Sequence, residues 1–449
     1  MSRHFVPFLL GSFLCVLLTG AIWAAPERPF HRGVELYKSG KYDLAIKAFK
    51  EAVSKNQDIA QAHHFLGNIY LNQSQLKKAR EEYELALASD PKSKKTLNNL
   101  ALVYAMEGKY EPACRFLKKA VALDGNFLEA RFNLALAYEQ LGQVAEAIEE
   151  YRMILAIDPS QTKAHGNIGN LYFNRKEYEK ACAHYQRIID LEPDSYKGYY
   201  NLGSSYSDLG RYDEGIALLK KALQRNPSYA YSYFYLGRAY LGKEDMEKAL
   251  NQFEKAIQLD GTKDEFHNYL ALTCKKMGKE DRAIEVYQKV LKQNSKNPMA
   301  SYNLGCIYFE KQQVDKAIEH FRNAISGDPK YVKAHNNLGL ALAERGQLDG
   351  AIESYKRAQE LDPRFTLAYY NLGMAYRKQN RLDDAIDQFQ RAVVLNPSDF
   401  DARVELATTL HKKGRKEEAG KAYREALPLA PSQEDRDFVQ SALRDLDKR

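Results

Sequence analysis

The chain has 449 residues, of which 45% are hydrophobic, 28% charged and 11% aromatic, and it carries a net charge of +7 with a mean hydropathy of -0.56. That balance suits a folded, helix-leaning protein and excludes a disordered or collagen-like one. Lys and Arg are spread without a block of like charge, which argues against a nucleic-acid or anionic-lipid footprint.

Residues 1–25 read MSRHFVPFLLGSFLCVLLTGAIWAA: a basic start at Arg3, an uncharged apolar run from Phe5, and the small residues Ala24 and Ala25 before Pro26. This is the pattern of a secretory signal peptide. The competing assignment is an uncleaved anchor formed by residues 5–25, because ~20 apolar residues suffice to cross a bilayer. Pro7, Gly11 and Gly20 interrupt the run, which favours cleavage and an exported, periplasmic protein. Export normally pairs cysteines, yet Cys114, Cys182, Cys274 and Cys306 show no CxxC and no tight spacing. They are expected to be small buried thiols; a Cys274–Cys306 bridge between adjacent units stays open.

From Pro26 the chain divides into twelve units of 34 residues: 26–59, 60–93, 94–127, 128–161, 162–195, 196–229, 230–263, 264–297, 298–331, 332–365, 366–399 and 400–433. The twentieth residue is Ala in every unit except for Gly215, and the eighth is always Gly or Ala. Small residues at both places let two helix backbones approach closely. The seventh is aliphatic everywhere except Arg32, and an aromatic residue such as Tyr70, Tyr104 or Tyr376 follows it at helical spacing. The second half of each unit repeats that logic, as in Ala79, Tyr83 and Ala86. Each unit is therefore predicted to be a helix pair. Gly40, Gly108, Gly142, Gly210, Gly278, Gly346 and Gly414 fall between the two helices, where a helix end favours a left-handed residue. Prolines such as Pro91, Pro159, Pro329 and Pro397 close the second helix. One such pair cannot bury its apolar stripe alone, so neighbouring pairs must stack.

Leu-Gly-x-x-Tyr followed by Gly, Ala, an aromatic residue, Ala and Pro over residues 26–433 resembles the tetratricopeptide repeat. The resemblance implies an all-α fold, a right-handed α-solenoid superhelix of antiparallel helix pairs whose first helices line a concave groove. The first unit departs most, with Arg32 and Leu36 at the family's Leu and Tyr places and Gln57 for Pro, and is expected to act as a terminal cap. Residues 434–449 are predicted to form a C-terminal capping helix with Phe438, Val439, Ala442, Leu443 and Leu446 as its apolar stripe.

Few residues escape explanation by the repeat. Gly237-Arg-Ala-Tyr-Leu-Gly242-Lys243 matches a phosphate-binding loop until Glu244 replaces the final Ser or Thr, and both glycines occupy ordinary repeat places. His63, His165, His267 and His335 all fill the fourth place of a unit, too far apart in a stack to share a metal, which requires ligand distances of ~2.1 Å. No HExxH, GxSxG or GxGxxG occurs. The expectation is a protein without catalytic residues, metal or cofactor.

The sixth residue of each first helix is expected to face the groove. It is Asn in seven units, Asn99, Asn133, Asn167, Asn201, Asn303, Asn337 and Asn371, although Asn is a poor helix-interior residue. A carboxamide both donates and accepts, so a row of them can pair with the backbone of an extended peptide. The row resembles the asparagine ladder in the repeat domain of eukaryotic O-linked N-acetylglucosamine transferases, whose catalytic half this chain lacks. Shared repeat ancestry is the competing explanation. Beside the row stand Phe132, Tyr200, Phe234, Tyr302 and Tyr370, and Tyr235 and Tyr269 interrupt it. Tyr200, Tyr231, Phe234, Tyr235 and Tyr269 are predicted to form an anchor pocket, since aromatic residues supply contact area at low entropic cost. The expected function is a protein-binding scaffold or adaptor of the cell envelope, with other proteins or peptide segments as partners. The alternatives are a substrate-recruiting partner of a separate glycosyltransferase and a polysaccharide-binding component of an export machine.

Overall fold

The computed structural model describes residues 28–447; the expected signal peptide or anchor lies outside them. The described residues form 25 α-helices and one short 3-10 turn, with no strand, and none of these helices is long and apolar enough to cross a membrane. Consecutive helices pack as antiparallel pairs, for example Ile59–Asn72 with Leu76–Ser89 and Val332–Glu344 with Leu348–Leu361. The chain forms two compact units, divided between Pro193 and Asp194, each described here by itself.

Pairing rests on the small residues. Alanines of the twentieth place such as Ala79, Ala181, Ala317 and Ala385 are fully buried. The exception, Gly215, has a reason: a Cβ there would stand 2.5 Å from Ser207 Oγ and 2.8 Å from the Gly203 carbonyl, so helices Tyr196–Asp208 and Tyr212–Arg225 cross backbone to backbone.

The turn inside each pair is more uniform than the glycines alone predict. Gly108 has φ +74°, and Lys109 N donates to Tyr104 O at 2.9 Å. Ser74, Lys176, Glu244, Gln312 and Asn380 hold the same left-handed backbone, with φ between 59° and 62°. Glu177 N donates to Tyr172 O at 2.9 Å, as at the glycines. The turn is imposed by helix pairing and tolerates a side chain at a strain cost. Lys176→Gly, Glu244→Gly and Gln312→Gly together are expected to raise stability by about 2 kcal/mol, read as a higher urea midpoint.

Between pairs, Asp90, Asp328 and Asp362 accept from the backbone N–H two residues on, at 3.1, 2.9 and 2.9 Å. The fourth-place side chain then locks the loop: His267 Nε2 donates to Gly261 O at 3.1 Å, His335 Nε2 to Pro329 O at 3.1 Å and Arg131 Nε to Gly125 O at 2.7 Å. Three of the four recurring histidines find their role here, His165 Nε2 donating to Pro159 O at 3.3 Å, while His63 meets Glu82 instead. The first such loop differs, as Gln57 for Pro foreshadows: Asn56 and Asp58 are both left-handed, at φ 54° and 47°. Arg32 is accommodated by an ion pair with Glu51 at 2.6 Å.

The last helix, Gln433–Asp447, buries Val439 completely and packs Ala442, Leu443 and Leu446 beside it. Phe438 departs from the predicted stripe and is 52% exposed. At ~100° per residue it sits about a quarter-turn from the centre of the other four. All four described cysteines are free thiols, so Cys274 and Cys306 do not bridge; Cys114, Cys182 and Cys274 are buried, and Cys306 only half so.

Candidate binding face

Helix contacts identify the inner side of each compact unit. First helices touch first helices of the neighbouring pair, as Ile59–Asn72 does with Lys94–Met106 and Tyr196–Asp208 with Ala230–Gly242; no second helix touches another to that degree among the described residues. The crowded first-helix layer carries the predicted residues. All of them are half-buried except Phe234, which is 2% exposed.

The asparagines form an internal ladder. Asn99 Nδ2 donates to Asn68 Oδ1 at 2.9 Å and Asn133 Nδ2 to Asn98 Oδ1 at 2.9 Å. In the second compact unit Asn303 donates to Asn268 at 2.8 Å and Asn371 to Asn336 at 2.9 Å. Asn167 instead donates to the Tyr151 hydroxyl at 2.7 Å and Asn337 to that of Tyr302 at 3.2 Å, whereas at Asn201 it is the main-chain carbonyl that accepts, from the Ser204 and Ser205 hydroxyls at 2.9 and 2.8 Å. Each ladder bond joins neighbouring first helices and uses one of two amide N–H groups. The row therefore ties neighbouring first helices together and leaves each donating amide one further N–H.

Several clefts open along this layer, two of them beside predicted residues. Phe132 and Asn133 line one of about 240 Å³ with Leu128, Ile154 and Lys163. In the other compact unit Tyr370 and Asn371 line one of about 200 Å³ with Phe309, Leu340 and Met374.

The predicted aromatic residues come together. Tyr200 meets Tyr235 edge-on at 5.6 Å, Phe234 meets Tyr235 at 5.4 Å and Tyr269 at 5.2 Å, and Tyr231 meets Phe234 at 6.4 Å. Phe234 differs from the expectation of a pocket-lining ring: it packs on Phe266 at 4.8 Å and Phe253 at 5.9 Å and supports the tyrosines from behind. The charged centre of the cluster was not foreseen. Arg238 lies over the rings of Tyr235 and Tyr269, at 4.8 and 5.6 Å, and its Nη2 donates to Asp208 Oδ1 at 2.6 Å. Burial opposes the arginine's charge, yet Asp208 and the two phenols hold its pKa above the usual range. Burial likewise pushes the Asp208 carboxyl up despite its partner, and burial with a hydrogen bond to Glu265 pushes Tyr231 up to about 12. The result is a set of tyrosine faces around one arginine fixed in place, a surface that can stack and hydrogen-bond but presents no nucleophile paired with a base.

The phosphate-loop likeness does not survive in the fold. Gly237 and Gly242 both lie within helix Ala230–Gly242, where backbone N–H groups are spent on the helix, and they pack on the rings of Phe253 and Tyr212. Among the described residues no group of three or more His, Cys, Asp or Glu side chains could hold a metal ion.

One tetratricopeptide repeat model matches residues 31–94 and 370–434, and a second matches 104–166 and 342–397. The model of the cilia and flagella-associated protein 70 C-terminal domain matches residues 153–362. The chain belongs to the tetratricopeptide repeat family. Solved structures similar to this tetratricopeptide repeat protein include yeast Tom70, with 18% identity and a TM-score of 0.45 over 93% of this chain and 95% of that one. The APC/C hetero-tetramer Cut9–Hcn1 shows 15% identity and a TM-score of 0.42 over 92% and 95%. MamA shows 26% identity and a TM-score of 0.36 over 38% of this chain and 93% of its own. No curated protein matches the chain. The tetratricopeptide repeat fold is one of protein–protein interaction, consistent with a scaffold.

Proposed function

We propose that this protein is a non-catalytic scaffold of the cell envelope that binds extended segments of partner proteins along its first-helix layer. The observation that carries the reading is the aromatic cluster in which Tyr235 and Tyr269 lie under Arg238, with Tyr200 against Tyr235 and Tyr231 against Phe234, on the layer that also bears the asparagine ladder. Half-buried tyrosines beside amides and an arginine are the composition of interaction hot spots. The envelope location rests on the composition of residues 1–25.

A photo-cross-linking amino acid at Tyr200, in the native envelope, is expected to capture a partner segment, and one at exposed Lys220 on a second helix to capture none. For the captured partner, Tyr235→Ala with Tyr269→Ala should weaken binding by at least tenfold. Equal capture from both sites, or unchanged affinity in the double variant, would defeat the proposal. Recovery of a glycosyltransferase as the partner would specify the recruiting role. The same tyrosine faces could stack on sugar rings; saturable binding of soluble polysaccharide that is lost in the double variant would replace peptide by glycan.

A further inference from the structure

The second compact unit holds a cleft of about 520 Å³ that the binding face does not use. Its origin is a departure from the repeat. In the 34-residue register, Gly350 and Ser354 occupy the nineteenth and twenty-third places, where every other unit carries at least one larger side chain, such as Lys316 and His320 one unit earlier. The missing bulk opens a space between helices Val314–Gly327, Val332–Glu344 and Leu348–Leu361.

The same departure takes away a partner. Elsewhere the fourth-place side chain meets the twenty-third: His63 Nδ1 lies 2.6 Å from Glu82, Arg131 donates to Glu150 at 2.7 Å and His165 Nδ1 lies 3.0 Å from His184 Nδ1. At His335 the counterpart is Ser354, whose hydroxyl is turned back to donate to the Gly350 carbonyl at 2.8 Å. His335 Nε2 donates to Pro329 O at 3.1 Å, and a carbonyl can only accept, so in the neutral ring Nδ1 is left as an acceptor without a twenty-third-place partner.

The lining sorts by chemistry. Ile325, Leu338 and Leu342 form an apolar floor. At the rim Arg357 is paired with Glu360 at 2.7 Å and the Lys356 ammonium lies 6.0 Å from the centre of the Tyr376 ring, which leaves Arg322 and Lys356 as two cations against the single carboxylate of Glu353. Among the described residues no carboxylate lies within ion-pair reach of Arg322. A cationic rim over an apolar floor complements a molecule that is anionic at one end and apolar at the other.

We propose that this cleft is a binding site for a small amphipathic anion, its apolar body on Ile325, Leu338 and Leu342 and its carboxylate or phosphate at Arg322 and Lys356. The site is separate from the partner-binding layer and stands or falls independently of it.

Calorimetric titration of the full chain with decanoate, below its micelle concentration, is expected to show saturable one-to-one binding. Decyltrimethylammonium, with the same chain length and the opposite charge, should bind at least tenfold more weakly. Ser354→His, which copies the side chain of His320, should fill the cleft and abolish binding. Arg322→Gln should weaken it at least tenfold, with partial rescue by Arg322→Lys. Thermal melting of each variant checks folding, and Tyr235→Ala with Tyr269→Ala should leave decanoate binding unchanged. Absence of saturable binding, equal binding of the cationic amphiphile, or full binding by folded Ser354→His would overturn the proposal.

Discussion

Gly339→Ala is expected to destabilise the helix pair Val332–Glu344 and Leu348–Leu361 by about 2 kcal/mol, a large effect for one methyl group. The added Cβ would stand 2.5 Å from Tyr355 Cε1 and 2.7 Å from Cδ1, and Tyr355 is itself only 1% exposed, so its ring has nowhere to withdraw. Alanine nevertheless occupies the same eighth place at Ala101, Ala135, Ala271 and Ala407, and the opposing residue shows how. Across from Ala101 stands Leu117, with both fully buried. Across from Ala135 and Ala271 the tyrosines take other routes: Tyr151 donates to Glu139 at 2.6 Å and Tyr287 to Asn268 at 2.9 Å. Beside glycine, Tyr83 and Tyr185 reach Asn68 and Asn170, each at 2.7 Å. The eighth and twenty-fourth places are therefore chosen together. Tyr355→Leu alone should cost ~2 to 3 kcal/mol through lost ring contacts. The double variant Gly339→Ala with Tyr355→Leu should cost no more than that, a coupling of ~2 kcal/mol. Urea unfolding, with hydrogen exchange of residues 332–361 to localise the loss, measures the cycle. Additive costs would show that the ring relaxes unaided.

That coupling also explains why so much of the fold is legible in the sequence. Contacts such as Gly339 with Tyr355 or Gly67 with Tyr83 join places sixteen residues apart, and the same requirement returns with each helix pair, so the period displays it openly. What the period conceals lies between neighbouring pairs. That Asn99 bonds Asn68 but Asn133 bonds Asn98 depends on which acceptor the next helix offers, and an asparagine in sequence looks the same whether it grips a ligand or a neighbour. Phe234 and Tyr235 are adjacent aromatic residues, yet ~100° of helix rotation places one in the core and leaves the other half-buried under Arg238. Arg238 could not be recognised because its partner, Asp208, belongs to the preceding unit and both sit where other units carry unrelated residues. The cleft at Gly350 was hidden for the opposite reason: it is made by side chains that are missing.

Acid is expected to unfold residues 28–193 through two histidines that the fold keeps neutral. Burial, helped by the charge of Lys95, lowers the pKa of His64 to about 4, while its Nδ1 lies 2.9 Å from Thr96 Oγ1. Burial, with His165 and Arg152 nearby, lowers His184 to about 4 as well. The His165 Nε2 that faces Pro159 O at 3.3 Å must donate, so its Nδ1 accepts and His184 Nδ1 donates across 3.0 Å; a proton added to His165 would set N–H against N–H. An unfolded histidine binds its proton near pH ~6.5, the folded pair of sites only near 4, so between those values the unfolded state holds more protons and stability is lost as the pH is lowered. The contribution is fully present above pH ~6.5, is lost through the window down to about 4 and changes no further below it. For His64 the gap corresponds to ~3 kcal/mol, and for the more solvent-exposed His184 to ~1 to 2 kcal/mol after screening. Unfolding free energies from urea titrations at pH 7, 6, 5 and 4.5 should therefore fall by ~3 to 4 kcal/mol in the native protein and much less in His64→Gln with His184→Gln. Carboxylates such as Glu177, held low by its hydrogen bond to Lys180, are common to both proteins and cancel in the comparison. Hydrogen exchange at pH 4.5 should rise first in helices Ile59–Asn72 and Tyr178–Leu191. Parallel pH profiles for the native protein and the double variant would show that neither histidine is held neutral by the fold.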